Sequence, residues 1–305
     1  MNNRYLISIL LLAILLISAC KPEITQKGPF KGGTSGVGIS FVANYPPSKF
    51  DVGESVPVKV LLSNKGEFDL NPNEAEVQLY GIHRPSFGIS DEYLKATNDL
   101  PGIGVIQTGG EQEVDIGKIA YSQAVQNSEQ FTLRAKVCYP YETDSQIKAC
   151  ISSVNIEESK GEKVCGITGE KITQGSVSSA PIQITSFTEE FRGADKIVFN
   201  IAIENKGVGN VYTLDSLCSE LDDPDFRLDN ENVLLFTITP SDIECRFSAG
   251  TGSSGEVRLR ERLANVVCTK QVSETDSSFE QNIIVNLKYK YVDSTSTNFE
   301  IFEVQ

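Results

Sequence analysis

The sequence predicts an all-β protein, two tandem antiparallel β-sandwiches placed after an N-terminal signal peptide and a flexible tether. Three observations carry this expectation. Short runs of alternating apolar and polar residues recur along the chain, bounded by Gly, Asn and Pro turn signals. Helical periodicity is almost absent. A strand-and-turn pattern also occurs twice, in the same order, together with a second matching pair. At 305 residues with 40% hydrophobic content, the chain has room for two cores.

Taken from the N-terminus, residues 1–19 read as a signal peptide. Asn2, Asn3 and Arg4 form a weakly basic head, and the mostly apolar run Leu6–Ala19 is shorter than the ~20 residues of a membrane span. The run ends Ile17-Ser18-Ala19-Cys20, which resembles the lipobox of bacterial and archaeal lipoproteins. The resemblance implies lipid attachment at Cys20, cleavage before it, and an extracytoplasmic protein anchored to the outer face of the cell membrane. Residues 20–36, rich in Gly, Lys, Pro and Thr, read as a tether with a reach of ~20–25 Å.

Strand signals begin at Val37, Ile39 and Phe41, and the first sandwich is expected over 37–158. Its strands are expected near Glu76–Tyr80, Glu113–Ile119 and Gln130–Cys138, with a helical turn or two at Asp91–Ala96 capped by Ser90. A linker follows at 159–180, where Lys, Glu, Gly and Ser accumulate and the apolar period lapses. The second sandwich, 181–305, has strand runs at Ile182–Phe187, Asn232–Thr239, Val257–Arg260, Asn265–Thr269 and Asn282–Tyr291.

The internal repeat aligns Val58-Lys59-Val60-Leu61-Leu62-Ser63-Asn64-Lys65-Gly66 with Phe199-Asn200-Ile201-Ala202-Ile203-Glu204-Asn205-Lys206-Gly207. Val58, Val60 and Leu62 take the inward positions of Phe199, Ile201 and Ile203. Both runs end in Asn-Lys-Gly, read as a tight turn whose Asn and Gly tolerate positive φ. Leu133–Tyr141 likewise matches Val285–Val292 near the end of each unit. The pattern from Pro47 through Gly66, with Asn205–Asn210 in the second unit, resembles the immunoglobulin-like repeats of archaeal and bacterial surface proteins. These include the cell-adhesion-related domains of bacteria and the repeats of S-layer-associated archaeal proteins. The resemblance implies display, adhesion or scaffolding rather than catalysis, and its style leans archaeal.

Outside the cytoplasm, the even set Cys138, Cys150, Cys165, Cys218, Cys245 and Cys268 reads as three disulfides. Spacing ranks Cys138–Cys150 across a hairpin and Cys245–Cys268 across the Gly/Ser loop Gly250–Gly255, leaving Cys165 with Cys218. Thiolate zinc ligation is disfavoured, because no C-x-x-C pair exists and His83 is the only histidine.

A search for chemistry yields no catalytic, cofactor-binding or metal-binding residue to nominate, and no enzyme is expected. A lone histidine, His83, without a G-x-S-x-G elbow offers no nucleophile–base pair. Gly250-Thr251-Gly252-Ser253-Ser254-Gly255 matches G-x-G-x-x-G, yet the strand-like Glu256–Arg260 follows where a dinucleotide fold needs a helix. The acidic segment 215–231 lacks calcium-loop spacing and reads as solvated. A net charge of −14 repels phosphate backbones, so no nucleic-acid partner is expected. Tyr139, Tyr141, Tyr289 and Tyr291 read as strand-packing residues. The favoured function is a non-catalytic, lipid-anchored binding, adhesion or spacer module. Its partners are the membrane through Cys20 and an unknown surface protein or glycan, met by the irregular stretches His83–Gly110 and Leu214–Asn230. The alternative is an extracytoplasmic hydrolase or the solute-binding component of a surface complex.

Overall fold

The computed structural model describes residues 28–104, 106–152, 164–193, 195–272 and 278–303. The expected signal peptide, Cys20 and the first residues of the expected tether lie outside them. Sixteen strands account for most of the described residues. They are β1 (Val37–Phe41), β2 (Lys49–Asp51), β3 (Val56–Asn64), β4 (Glu76–Tyr80), β5 (Leu94–Lys95), β6 (Glu111–Ile119), β7 (Ser128–Ile151) and β8 (Ile182–Phe191). Then come β9 (Lys196–Asn205), β10 (Asn210–Tyr212), β11 (Val233–Thr239), β12 (Ile243–Phe247), β13 (Gly250–Gly252), β14 (Ser254–Arg258), β15 (Leu263–Gln271) and β16 (Phe279–Phe302). Among the described residues two short α-helices, α1 (Arg84–Phe87) and α2 (Pro224–Asn230), and a 3-10 turn at Cys218–Glu220 interrupt them.

The architecture is all-β and antiparallel, with one parallel pairing, β2 on β16. Two of its strands are 24 residues long, against a usual five or six or so, and they pair with each other from end to end. Ser128 faces Phe302 at one end of this ribbon and Ile151 faces Phe279 at the other. Inward side chains alternate without a break along β7, from Leu133 through Ala135, Val137, Tyr139, Tyr141, Thr143, Ser145 and Ile147 to Ala149. A period of two over that length keeps one face of the ribbon in the core throughout.

Each half of the ribbon belongs to a different sandwich. The first half of β7 pairs with β4, and the far end of β16 pairs with β2; β1, β3 and β6 form the opposing three-stranded sheet. The first half of β16 pairs with β11, which pairs with β14; the five-stranded sheet β13-β12-β15-β9-β8 opposes them. β7 and β16 thus run across the boundary expected between 37–158 and 181–305. The last strand of each unit runs on into the sheet of the other, and one cluster of buried residues extends from Val37 to Ile301 through both units. Alternation in the sequence located strands near 130–138 and 282–291 but was silent on their extension, because a strand's length depends on the partner that pairs with it.

The first core closes on five rings: Phe50, Phe87, Tyr121, Phe131 and Phe299, with neighbouring centroids 4.8–6.0 Å apart. Phe87 reaches it from α1, a single turn that ends at Gly88 in the left-handed region. The helix expected at Asp91–Ala96 is absent. Ser90 Oγ instead accepts from Glu92 N within a turn, and β5 follows, drawn into extended form by pairing with β4. The stretch 164–180, expected as linker, is packed: Ser176, Val177, Ser178, Ser179 and Ala180 are buried, and Val177 bridges Ser145 along the free edge of β7. Small residues fit there because two backbones meet with little room for side chains.

The six cysteines form Cys138–Cys218, Cys150–Cys165 and Cys245–Cys268. The spacing argument found the last pair, whose members face each other on β12 and β15. It misassigned the other two, because Cys138 and Cys150 do not flank a hairpin. They lie twelve residues apart on one uninterrupted strand, too far to meet. The Gly250–Gly255 stretch is likewise not a plain loop. It forms β13, crosses between sheets at Ser253, and opens β14. Gly255 is needed there because a Cβ would come 2.4 Å from the Phe247 ring.

Candidate functional site

The duplicated motif converges where the two sandwiches meet. Tyr139 and Tyr141 on β7 stand opposite Tyr291 and Tyr289 on β16, all four buried, with ring centroids 5.5–6.4 Å apart. Each repeat uses its pair in the same way. Tyr141 Oη donates to Asn64 Oδ1 at 3.0 Å, and Tyr291 Oη donates to Asn205 Oδ1 at 3.3 Å. Tyr139 Oη accepts from Val37 N, which opens β1, and Tyr289 Oη accepts from Ile182 N, which opens β8. The two Asn amides donate to the carbonyl four residues on, Phe68 and Gly209.

The Asn-Lys-Gly repeat is thus a socket for a tyrosine hydroxyl. Its Asn and Gly are not among the positive-φ residues, contrary to the tight-turn expectation. Glycine is required for space. A Cβ on Gly66 would lie 2.0 Å from Tyr141 Oη, and one on Gly207 would lie 2.3 Å from Tyr291 Oη. Burial raises all four phenols well clear of neutral pH, Tyr291 to about 12. They therefore stay protonated, and Tyr141 and Tyr291 keep their donor roles.

One long insertion crosses between repeats. Residues 213–231 leave the second unit and pack on the outer face of the first, where Cys218 bonds Cys138 and Leu221 and Tyr212 bury against it. Asp222 grips the ammonium of Lys136 with both oxygens at 2.6 and 2.8 Å. The same ammonium lies 5.7 Å from the Tyr80 ring centroid and 5.3 Å from that of Tyr93. These groups line a cleft of about 450 Å³ with Arg227, Asn210 and Ser294. The hydroxyl of Tyr93, one of its lining residues, is buried with no hydrogen-bond partner, and burial, with Asp222 next, raises its pKa. Protonated phenols, an ion pair and ring faces suit a polar ligand with a flat or apolar face.

A second cleft of about 420 Å³ lies near the far end of the second sandwich, between the segment from Gly28, the ribbon and the Cys150–Cys165 bridge. Beside it, Glu189 on β8 is buried; its carboxylate accepts from Cys150 N and lies 3.6 Å from Lys171 Nζ. Burial raises the carboxyl to about 7, against the opposing pull of Lys171.

The remaining residues singled out in the sequence are dispersed. His83 is exposed, with Nδ1 2.8 Å from Ser86 Oγ, the contact expected of residues three apart in one helical turn. In the acidic segment, Asp223 caps α2 by accepting from Asp225 N, and Glu231 pairs with Arg227. Among the described residues, no group of three or more His, Cys, Asp or Glu side chains could hold a metal ion. Nor is any described helix long and apolar enough to cross a membrane. The tyrosine sockets were half legible: the repeat was visible, but a hydroxyl's partner is not encoded at any fixed spacing. No sequence signal pointed to the Lys136–Asp222 cleft, whose two sides lie 86 residues apart.

No family model and no curated protein matches this chain. Among solved structures, it is similar to the C-terminal globular domain of an oligosaccharyltransferase from Pyrococcus abyssi, at 7% identity and TM-score 0.23. The match covers 89% of this chain and 50% of that one, so the chain spans half the length of that domain. A collagen adhesin from S. aureus matches at 9% identity and TM-score 0.12, over 92% of this chain and 96% of that one. At such scores neither likeness carries an argument about function. The three disulfides do bear on location, since bridges of this kind persist in oxidising, extracytoplasmic compartments.

Proposed function

We propose that the protein is a non-catalytic, lipid-anchored surface module that displays or spaces a binding face on the outer side of a cell membrane. The observation that carries this reading is the shared ribbon. A flexible pair of beads would bend at its linker, but two 24-residue strands hydrogen-bonded along their length span ~80 Å as one body. Stiffness of that kind suits holding a contact surface in a set position. The Cys138–Cys218 bridge and the Lys136–Asp222 pair then fix the tyrosine-lined cleft, which is the candidate contact for a surface glycan or protein. Anchoring rests on the Leu6–Ala19 run and the cysteine at position 20.

The test is the intact mass of the protein extracted from its own membranes, before and after reduction with alkylation. Loss of residues 1–19, a lipid mass on Cys20 and six thiols appearing only on reduction are expected. A full-length chain without lipid would overturn the anchoring.

A further inference from the structure

Residues 28–36, expected as tether, form a strap bonded first to residues 174 and 175 beside the second sandwich and then to Glu67 and Lys65 of the first. Gly28 N donates to Gln174 O at 2.9 Å and Phe30 N to Gly175 O at 3.0 Å. The Glu67 carboxylate accepts from Lys31 N, Gly32 N and Ser179 N. Lys65 N donates to Gly36 O. The approach is close enough that a Cβ on Gly28 would lie 2.1 Å from Gly175 O.

The strap has a direction. Its C-terminal end meets the junction, where Val37 binds Tyr139. Its N-terminal end reaches the cleft lined by Lys148, Cys150 and Glu280, near the end of the ribbon where Ile151 faces Phe279. Only eight residue steps separate Gly28 from Cys20, at most about 29 Å of extended chain. From Lys148 to Ser128, at the other end of β7, the ribbon runs ~66 Å.

We infer that the second sandwich is the membrane-proximal one, its Ile151–Phe279 end abutting the lipid headgroups, and that the first sandwich is the distal tip. This inference rests on lipid attachment at Cys20. It reverses the order that an N-terminal anchor and two serial beads would give, because the strap carries the chain past the second sandwich before the first begins. A net charge of −14 disfavours a side-on pose against anionic lipid, leaving the short lead to Cys20 to set the contact. The tyrosine-lined cleft, between junction and tip, then lies at a distance from the bilayer.

The experiment uses the chain from Cys20, coupled through that thiol to a maleimide lipid, so that orientation is read whether or not the cell performs the lipidation. It is placed on vesicles of phosphatidylcholine and phosphatidylglycerol carrying an acceptor dye on their headgroups. A donor dye is attached to an azide-bearing residue in place of Gln174 in one chain, and in place of Ser55, which precedes β3 at the far end of the first sandwich, in another. Severalfold greater energy transfer from position 174 is expected, and a long Gly/Ser insertion between residues 27 and 28 should erase the difference. Equal transfer, greater transfer from position 55, or a difference that survives the insertion would overturn the inference. Absence of lipid on the native protein would instead defeat the anchoring reading and, with it, the premise of this inference.

Discussion

The first sandwich sets three strands, β1, β3 and β6, against the ribbon, while the second sets five and pins two of them with Cys245–Cys268. Aromatic residues fill the first core around Phe87; the second encloses a carboxylate, Glu189. At the junction the two are alike, each locking an Asn-Lys-Gly socket onto its tyrosine pair. What duplicated is therefore the joint, and what diverged is how each core is closed around it. A joint made by exchanging final strands tolerates such divergence, since each half of the ribbon needs only an apolar inward face.

Separating the halves should break the comparison altogether. Residues 28–158 alone leave the second half of β7 without its partner, and residues 164–305 alone leave the far half of β16 bare. Neither fragment should show a cooperative thermal transition by circular dichroism, while an equimolar mixture should recover one. Two independent transitions from the separate fragments would mean that the sandwiches are serial after all.

Within the first core, Phe87→Ala removes the ring that touches Tyr121, Phe131 and Phe299 and should cost about 3–5 kcal/mol in denaturant unfolding. The second core should answer to pH instead. Glu189 holds its proton more tightly when folded, at about 7 against 4.5. The folded state thus binds more protons between those values, and stability declines as pH rises through that window. At ~1.4 kcal/mol per unit the decline is about 3 kcal/mol. Stability curves at several pH values should flatten in Glu189→Gln, and an unchanged slope would remove Glu189 from the account.

The sockets should differ least. Asn64 donates to two carbonyls, Phe68 and Leu100, and accepts from Gly66 N and Tyr141 Oη. Asn205 donates to Gly209 O and accepts from Tyr291 Oη. Asn64→Ala should cost about 2–3 kcal/mol and Asn205→Ala about 1–2, because fewer buried groups lose partners in the second socket. Equal costs by chemical denaturation would show that the additional bonds of Asn64 contribute nothing net.

What the sequence determined by itself is local. Alternation at Val58, Val60 and Leu62, and at Phe199, Ile201 and Ile203, decides which face is buried, since a pleated strand has no other period. The repeat, the all-β class and the commitment of six cysteines to bridges follow from similarly short-range signals. Tertiary structure decided everything that depends on a distant partner. It extended β7 and β16 to 24 residues, because each found a mate along its whole length. It joined Cys138 to Cys218, 80 residues away, and drew Cys150 from Cys138 to Cys165. It also turned a Gly-rich lead into a bonded strap, because Gly28 and Gly175 allow two backbones to touch. Residues that meet only after folding leave no period in the chain, and their pairing is chosen by the packing of the whole.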